Sequence, residues 1–235
     1  MIIKNGKGVW RMGNNDFNNK NCMRFLKPNV ANKYPKEFRE GHWRDEHEKK
    51  SLMKALGYFP KGAHILDLPC GAGRLTKILL TSGYRVTAVD ISPIMLKIAK
   101  RNINLYRFNQ KIQSEEVQFK MVDILNTGFR DNEFDGVICY RLFHHFNDTD
   151  IRKKAMAELQ RISHGPVIIS FFNSFSISAS MRRLKYFIKG MPVKDRVSLK
   201  MGTFLSELKS QGMRPVDKIP VRWGVSPMWD VVSIP

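Results

Sequence analysis

Between His64 and Phe172 short apolar runs alternate with segments of helical period, and this alternation most limits the folds open to the chain. The strand-like runs are His64 to Leu68, Arg85 to Asp90, Val117 to Ile124, Phe134 to Tyr140 and Val167 to Phe172. Between them, Ala72 to Thr81, Ile94 to about Tyr106 and Asp148 to Ile162 carry a helical pattern. Pro93 suits a first helical turn, and Asp148 or Thr149 can cap the third helix. Strands separated by helices build βαβ units with right-handed crossovers, so the predicted class is α/β, a doubly wound and mostly parallel sheet.

Outside this region the rhythm changes. Residues 1–34, rich in Asn, Gly and Lys, predict a loose arm. Residues 35–59 predict a helical cap, with Trp43, His47, Leu52, Met53, Leu56 and Phe59 on one face. Beyond Phe172 the pattern predicts helices over Ala179 to Lys189 and Thr203 to Gln211, then strands over Val216 to Trp223 and Met228 to Ile234. A length of 235 residues with 43% hydrophobic content suits one large unit. Residues 35–235 are therefore expected to form a single domain, with 173–212 as an insert covering the substrate.

The formal charge of +19 is unevenly spread. Residues 1–60 hold 13 Lys/Arg against 6 Asp/Glu, and residues 181–235 hold 11 against 4, a net +7 in each. Residues 121–180 hold 6 against 7, a net −1. Two basic ends favour anionic partners: nucleic acid, anionic lipid or a phosphate-bearing molecule. The three cysteines, Cys22, Cys70 and Cys139, are widely spaced and odd in number, which argues against a disulfide framework or a metal knuckle. No metal is expected. With neither a signal-peptide pattern nor a membrane span, the expected location is the cytoplasm, with peripheral contact at the inner membrane surface open to so basic a chain.

In an open parallel sheet the ligand sits beyond the carboxyl ends of the strands. Asp67 ends the first strand, Gly71 and Gly73 form its turn, Asp90 ends the second strand and Asp123 closes the third. An acid in the position of Asp90 can accept both hydroxyls of a ribose, which predicts an adenosine-bearing cofactor. A dinucleotide fingerprint needs a third glycine, but GAGRLT from Gly71 has Thr76 there, and Pro69 removes an N–H donor upstream. S-adenosylmethionine has no phosphate to cradle, and fits a turn poorer in donors.

These residues resemble the motifs of class I S-adenosylmethionine-dependent methyltransferases. ILDLPCGAGR is similar to their first motif, with Pro69 at a position the family gives to glycine; VTAVDIS is similar to the second, FKMVDI to the third and FDGVICYRLFHHF to the fourth. The resemblance spans about residues 60–172. It implies a seven-stranded sheet with a reversed final hairpin and S-adenosyl-L-methionine as cofactor. It places Asp67, Pro69, Cys70, Gly71, Gly73, Asp90, Ile91 and Tyr140 around the cofactor, with Asp123 and Ile124 beside adenine.

Arg141, His144 and His145 follow the fourth strand, where an acceptor would enter. A histidine there can take a proton from an acceptor hydroxyl or can simply orient the loop; Arg141 can clamp an anion or form a salt bridge. In ASMRRLKYFIK, Met181, Leu184, Phe187 and Ile188 share one face among Arg182, Arg183, Lys185 and Lys189. Trp43, Arg182 and Arg183 are the candidate substrate contacts. Two readings follow: a methyltransferase for a small or lipid-linked anionic acceptor, or an RNA methyltransferase gripping phosphates with its basic ends.

Overall fold

The computed structural model describes residues 2–5, 8–11, 43–110, 117–190 and 196–235. Two strands, β1 (Ile2–Asn5) and β2 (Gly8–Arg11), pair antiparallel. The expected loose arm therefore begins with a paired strand segment, Asn5 opposite Gly8 and Ile2 opposite Arg11. The remainder of the arm, with Cys22, lies outside the described residues.

The main body is a seven-stranded sheet built from β3 (His64–Asp67), β4 (Arg85–Asp90), β5 (Val117–Met121), β6 (Gly136–Cys139), β7 (Val167–Phe172), β8 (Arg214–Pro220) and β9 (Met228–Ile234). Their order is β5-β4-β3-β6-β7-β9-β8. The first five run parallel, and β9 enters antiparallel to both β7 and β8, the reversed hairpin expected from the sequence. Strands β6 and β7 are buried along their whole length, as centre strands covered on both faces must be.

Helices cover both faces. On one side lie α1 (Trp43–Leu56), α2 (Arg74–Thr81) and α3 (Pro93–Gln110), whose Leu52, Leu56, Leu79 and Ala99 pack with Ile65, Val86, Ile138 and Val232 of the sheet. On the other lie α4 (Thr149–Arg161) and α6 (Met201–Ser210), whose Met156, Leu159, Phe204 and Leu208 pack with Val137, Ile169, Phe171 and Val231. The remaining helix, α5 (Ile177–Ile188), buries Ala179 alone.

Local chemistry sets the boundaries. Asp148 caps α4, its carboxylate accepting the N–H groups of Asp150 and Ile151. Gly73 holds a left-handed φ of 85° at the start of α2, where a Cβ would stand 3.3 Å from Ala99 of α3. Phe59, just past α1, lies so close beneath β6 that a Cβ on Gly136 would come within 2.1 Å of its ring. The buried face of α1 is rotated from the sequence expectation: Glu48, Ser51, Leu52, Ala55 and Leu56 point inward, whereas Met53 is exposed.

Candidate functional site

Parallel strands end together, and the loops after β3, β4 and β6 meet at the point where the strand order reverses between β3 and β6. There a cavity of about 970 Å³ opens, walled by Pro69 to Gly73, Asp90, Ile91, Met95, Tyr140, Arg141, Leu142 and His145, and continuing along α2 and α3 to α1.

Asp90, at the end of β4, is the acid in this wall. Its Oδ2 accepts the Gly71 N–H at 3.0 Å, and its Oδ1 accepts the Ser92 N–H at 2.8 Å. Burial pushes its carboxyl up to about 6, with those backbone donors opposing the shift. The turn is tied to β4 and closed on itself: the Cys70 N–H donates to Val89 O at 2.7 Å and the Gly73 N–H to Cys70 O at 2.9 Å. Glycine is required at position 71 by its φ of 55°. The Leu68–Pro69 peptide is cis.

Asp67 stands differently from the other turn residues. It is fully buried behind the turn, where its Oδ2 accepts the Thr76 hydroxyl at 2.6 Å, and it does not line the cavity. Burial, reinforced by the charge of Asp90, raises its carboxyl to about 7 against the Thr76 hydrogen bond. The residue in the third-glycine position thus anchors the acid of the first motif. Asp123 is also turned inward on its own loop, its Oδ1 accepting the Leu125 N–H at 3.0 Å, and neither it nor Ile124 lines the cavity. Cys70 and Cys139 are buried thiols, both pushed upward by burial.

The loop after β6 holds two adjacent histidines in a single 3-10 turn, Phe143–His145, with their rings tilted against each other at a centroid distance of 4.0 Å. His145 lines the cavity. His144 instead lies flat on Phe172, ring centroids 4.2 Å apart and planes within 4°. Arg141 adopts a left-handed φ of 60°, uncommon for a side-chain-bearing residue, and its N–H donates to Ser170 Oγ at 2.6 Å.

Three residues escaped sequence reasoning. Glu48 of α1, almost wholly buried, receives Arg74 from the first-motif turn at 2.8 Å and Arg141 from the β6 loop at 3.2 Å. This carboxylate ties the N-terminal helix to both sides of the cavity. The sequence signal was an acid in register with Leu52 and Leu56 on an apolar helix face. Arg74 sat inside the quoted motif without an assigned partner. Asp230 of β9 is buried beneath α1, its carboxyl raised to about 7 by burial and by Glu48, with Ser51 and Tyr140 opposing.

Of the expected substrate contacts, Arg182 and Arg183 do not line the cavity. Arg182 donates to Ser198 Oγ at 3.0 Å and Arg183 to Ser174 O at 2.6 Å, so both guanidinium groups tie α5 to adjacent chain. Trp43 is the first residue of α1, and its side chain lies outside the described residues.

Residues 65–164 match the family model of a methyltransferase domain. A ubiquinone biosynthesis O-methyltransferase of Coxiella burnetii is 30% identical over 99 residues, covering 42% of this chain and 39% of the relative. One of Xylella fastidiosa is 29% identical over 146 residues, covering 58% and 56%. The chain thus spans about half, or less, of the length of these curated relatives. Among solved structures, magnesium protoporphyrin IX methyltransferase of Synechocystis, with bound S-adenosylhomocysteine, superposes with a TM-score of 0.68 at 17% identity, covering 89% of this chain and 96% of that one. The 1,6-didemethyltoxoflavin-N1-methyltransferase of Burkholderia thailandensis gives 0.59 at 20% identity, covering 87% and 86%. These superpositions carry the fold, and the family model places a methyltransferase domain over residues 65–164, somewhat under half of the chain.

Proposed function

We propose that the protein binds S-adenosylmethionine in the cavity at the strand ends and transfers its methyl group to a small anionic acceptor, free or lipid-linked. The observation that carries this reading is the way the β3 turn spends its donors. The N–H groups of Cys70, Gly71 and Gly73 are committed to Val89 O, the Asp90 carboxylate and Cys70 O, and Pro69 has none. Such a turn suits a cofactor without phosphates, while the Asp90 carboxylate keeps lone pairs for ribose hydroxyls. Ile91 and Met95 supply an apolar wall beside it.

When bound, the cofactor supplies a methyl group made electrophilic by its sulfonium. The protein's part is to hold acceptor and methyl in line and to keep water out. His145, on the cavity wall, is the group we assign as base for an acceptor hydroxyl, and Arg141, held by Glu48, as the cation facing an anionic group. Asp67 acts through the turn it braces rather than by contact. The naming of the matched relatives as O-methyltransferases supports oxygen as the methylated atom.

Calorimetric titration tests the cofactor. Binding to the intact protein is expected, with Asp90→Ala weakening it at least about tenfold through loss of hydrogen bonds to a charged acceptor. Affinity should also fall as pH drops through about 6, because protonated Asp90 loses acceptor capacity. No heat at millimolar cofactor would overturn the reading. The net charge of +19 favours a second reading, RNA as acceptor. Labelled cofactor incubated with fractionated cell extract separates the two: label in organic-extracted or small metabolites supports the first, label in RNA the second.

A further inference from the structure

Helix α5 lies the wrong way out for a core helix. It leaves the carboxyl end of β7, the end on which the cavity opens, and only Ala179, Arg182 and Tyr186 on its inner side are even partly covered. At about 100° per residue, Ile177, Met181, Leu184 and Ile188 fall within a sector of about 60° on the opposite side. All four point into solvent, Ile188 with 75% of its surface exposed, and Phe187 beside them is 83% exposed. An ordinary amphipathic helix buries that stripe; here the fold presents it.

The stripe does not stand alone. The first turn of α5 hangs on the loop between β8 and β9, with the Ile177 N–H donating to Gly224 O at 2.9 Å. The same loop exposes 77% of Trp223. Apolar side chains gathered on one ridge in this way mark a contact surface. Arg183 lies along one flank and Lys185 and Lys189 along the other, and no acidic residue occurs from Asn173 to Lys189.

We propose that this ridge, α5 with Trp223, docks in the surface of an anionic lipid bilayer. The chemistry distinguishes this partner from others. Apolar side chains form the crest and cations the shoulders, so the crest can enter the acyl boundary while lysine and arginine meet headgroup phosphates. A nucleic acid would meet aliphatic and aromatic groups first, with its phosphates held away from the cations. A second copy of the chain would bring one basic face against another. Helix α5 leaves the same end of the sheet as the cavity, and Arg182 ties it through Ser198 to the segment whose Val197 N–H donates to His144 O at 2.8 Å. A protein so seated would turn that end of the sheet toward the bilayer. The inference is independent of the methyl-transfer reading.

The test is flotation of the full chain, without cofactor, with vesicles of phosphatidylcholine alone or mixed with phosphatidylglycerol. The protein should float with the anionic vesicles and not with the neutral ones, and salt should weaken binding. Leu184→Asp with Ile188→Asp, and separately Lys185→Glu with Lys189→Glu, should each reduce the bound fraction at least about tenfold while leaving the thermal melt unchanged. Trp223 emission should shift to the blue on binding, and the shift should vanish in Trp223→Phe. No flotation of the native protein would overturn the proposal, as would flotation insensitive to both pairs. Self-association abolished by Leu184→Asp, without vesicle binding, would assign the ridge to a second copy instead.

Discussion

His144 and His145 touch, ring centroids 4.0 Å apart, but only one of them reaches the cavity, and their variants should differ accordingly. His145 lines the cavity, whereas His144 is stacked on Phe172 in the packed layer behind it. With an O-acceptor, His145→Ala should lower kcat by about 10²-fold or more, the usual worth of a positioned base, and leave cofactor affinity intact. His144→Ala should instead lower the melting temperature, with activity loss following from loop disorder. Equal kcat losses with unchanged melts would contradict the assignment. Arg141 needs a different reading: its strained φ is held by the Ser170 hydrogen bond and its guanidinium by Glu48. Its position is thus imposed by two other elements.

Helices α4 and α6 cover the face of the sheet away from the cavity, and one buried ion pair joins them. Arg152 donates to Glu207 through Nε at 2.8 Å and Nη2 at 2.6 Å, and its Nη1 reaches the carbonyls of Phe146 and Asn147. The bidentate geometry and the two carbonyls satisfy a guanidinium that has almost no access to water. Glu207→Ala should therefore cost about 3–5 kcal/mol in denaturant unfolding, since it strands the Arg152 charge. The double replacement Arg152→Met with Glu207→Leu should recover most of that loss. Because Arg152 also holds the chain just after His145, the single variant should reduce activity beyond its effect on stability. Helix α1 plays a matching part on the cavity face, where Glu48 bridges Arg74 and Arg141.

At the scale of the whole molecule, three of the buried carboxyls on the cavity side of the sheet are shifted by their burial. Burial raises Asp67 to about 7, Asp90 to about 6 and Asp230 to about 7, all above their values in the unfolded chain. The folded state therefore holds protons that the unfolded state has released. Stability from these groups is full below about pH 4 and is lost as pH rises through about 6 to 7. Glu158 works with the opposite sign, because its bonds to Arg161 and Thr127 lower it to about 2, so its contribution disappears on acidification below about 4. Asp230→Asn should therefore gain stability relative to the native protein as pH rises from 4 to 7, by up to about 1.4 kcal/mol per pH unit. Thermal melts across that range would show the two curves diverging, and parallel curves would rule out a titrating Asp230.

The parallel part of the sheet and the strand-end turn were legible in the chain because periodicity and punctuation are local, whereas the reversed hairpin followed only from the resemblance to a known family. Apolar runs of strand length, Pro93 before a helix, Asp148 as a cap and two glycines after Asp67 each declare themselves within a few residues. Asp90 was legible for the same reason: topology dictates that a residue ending β4 faces the crevice. Side-chain direction and pairing over long separations were not. Asp67 and Asp90 read alike as strand-end acids, yet Thr76 draws one behind the turn while the other faces the cavity. Arg182 and Arg183 read as candidate substrate contacts, but the Ser198 hydroxyl of the returning chain holds the first and the Ser174 carbonyl ahead of α5 holds the second. Sequence alone determined that α5 is apolar on one side and basic around it. Only the tertiary structure decided that the apolar side faces outward, because orientation depends on which neighbours arrive first to cover a helix, and here they cover the other face.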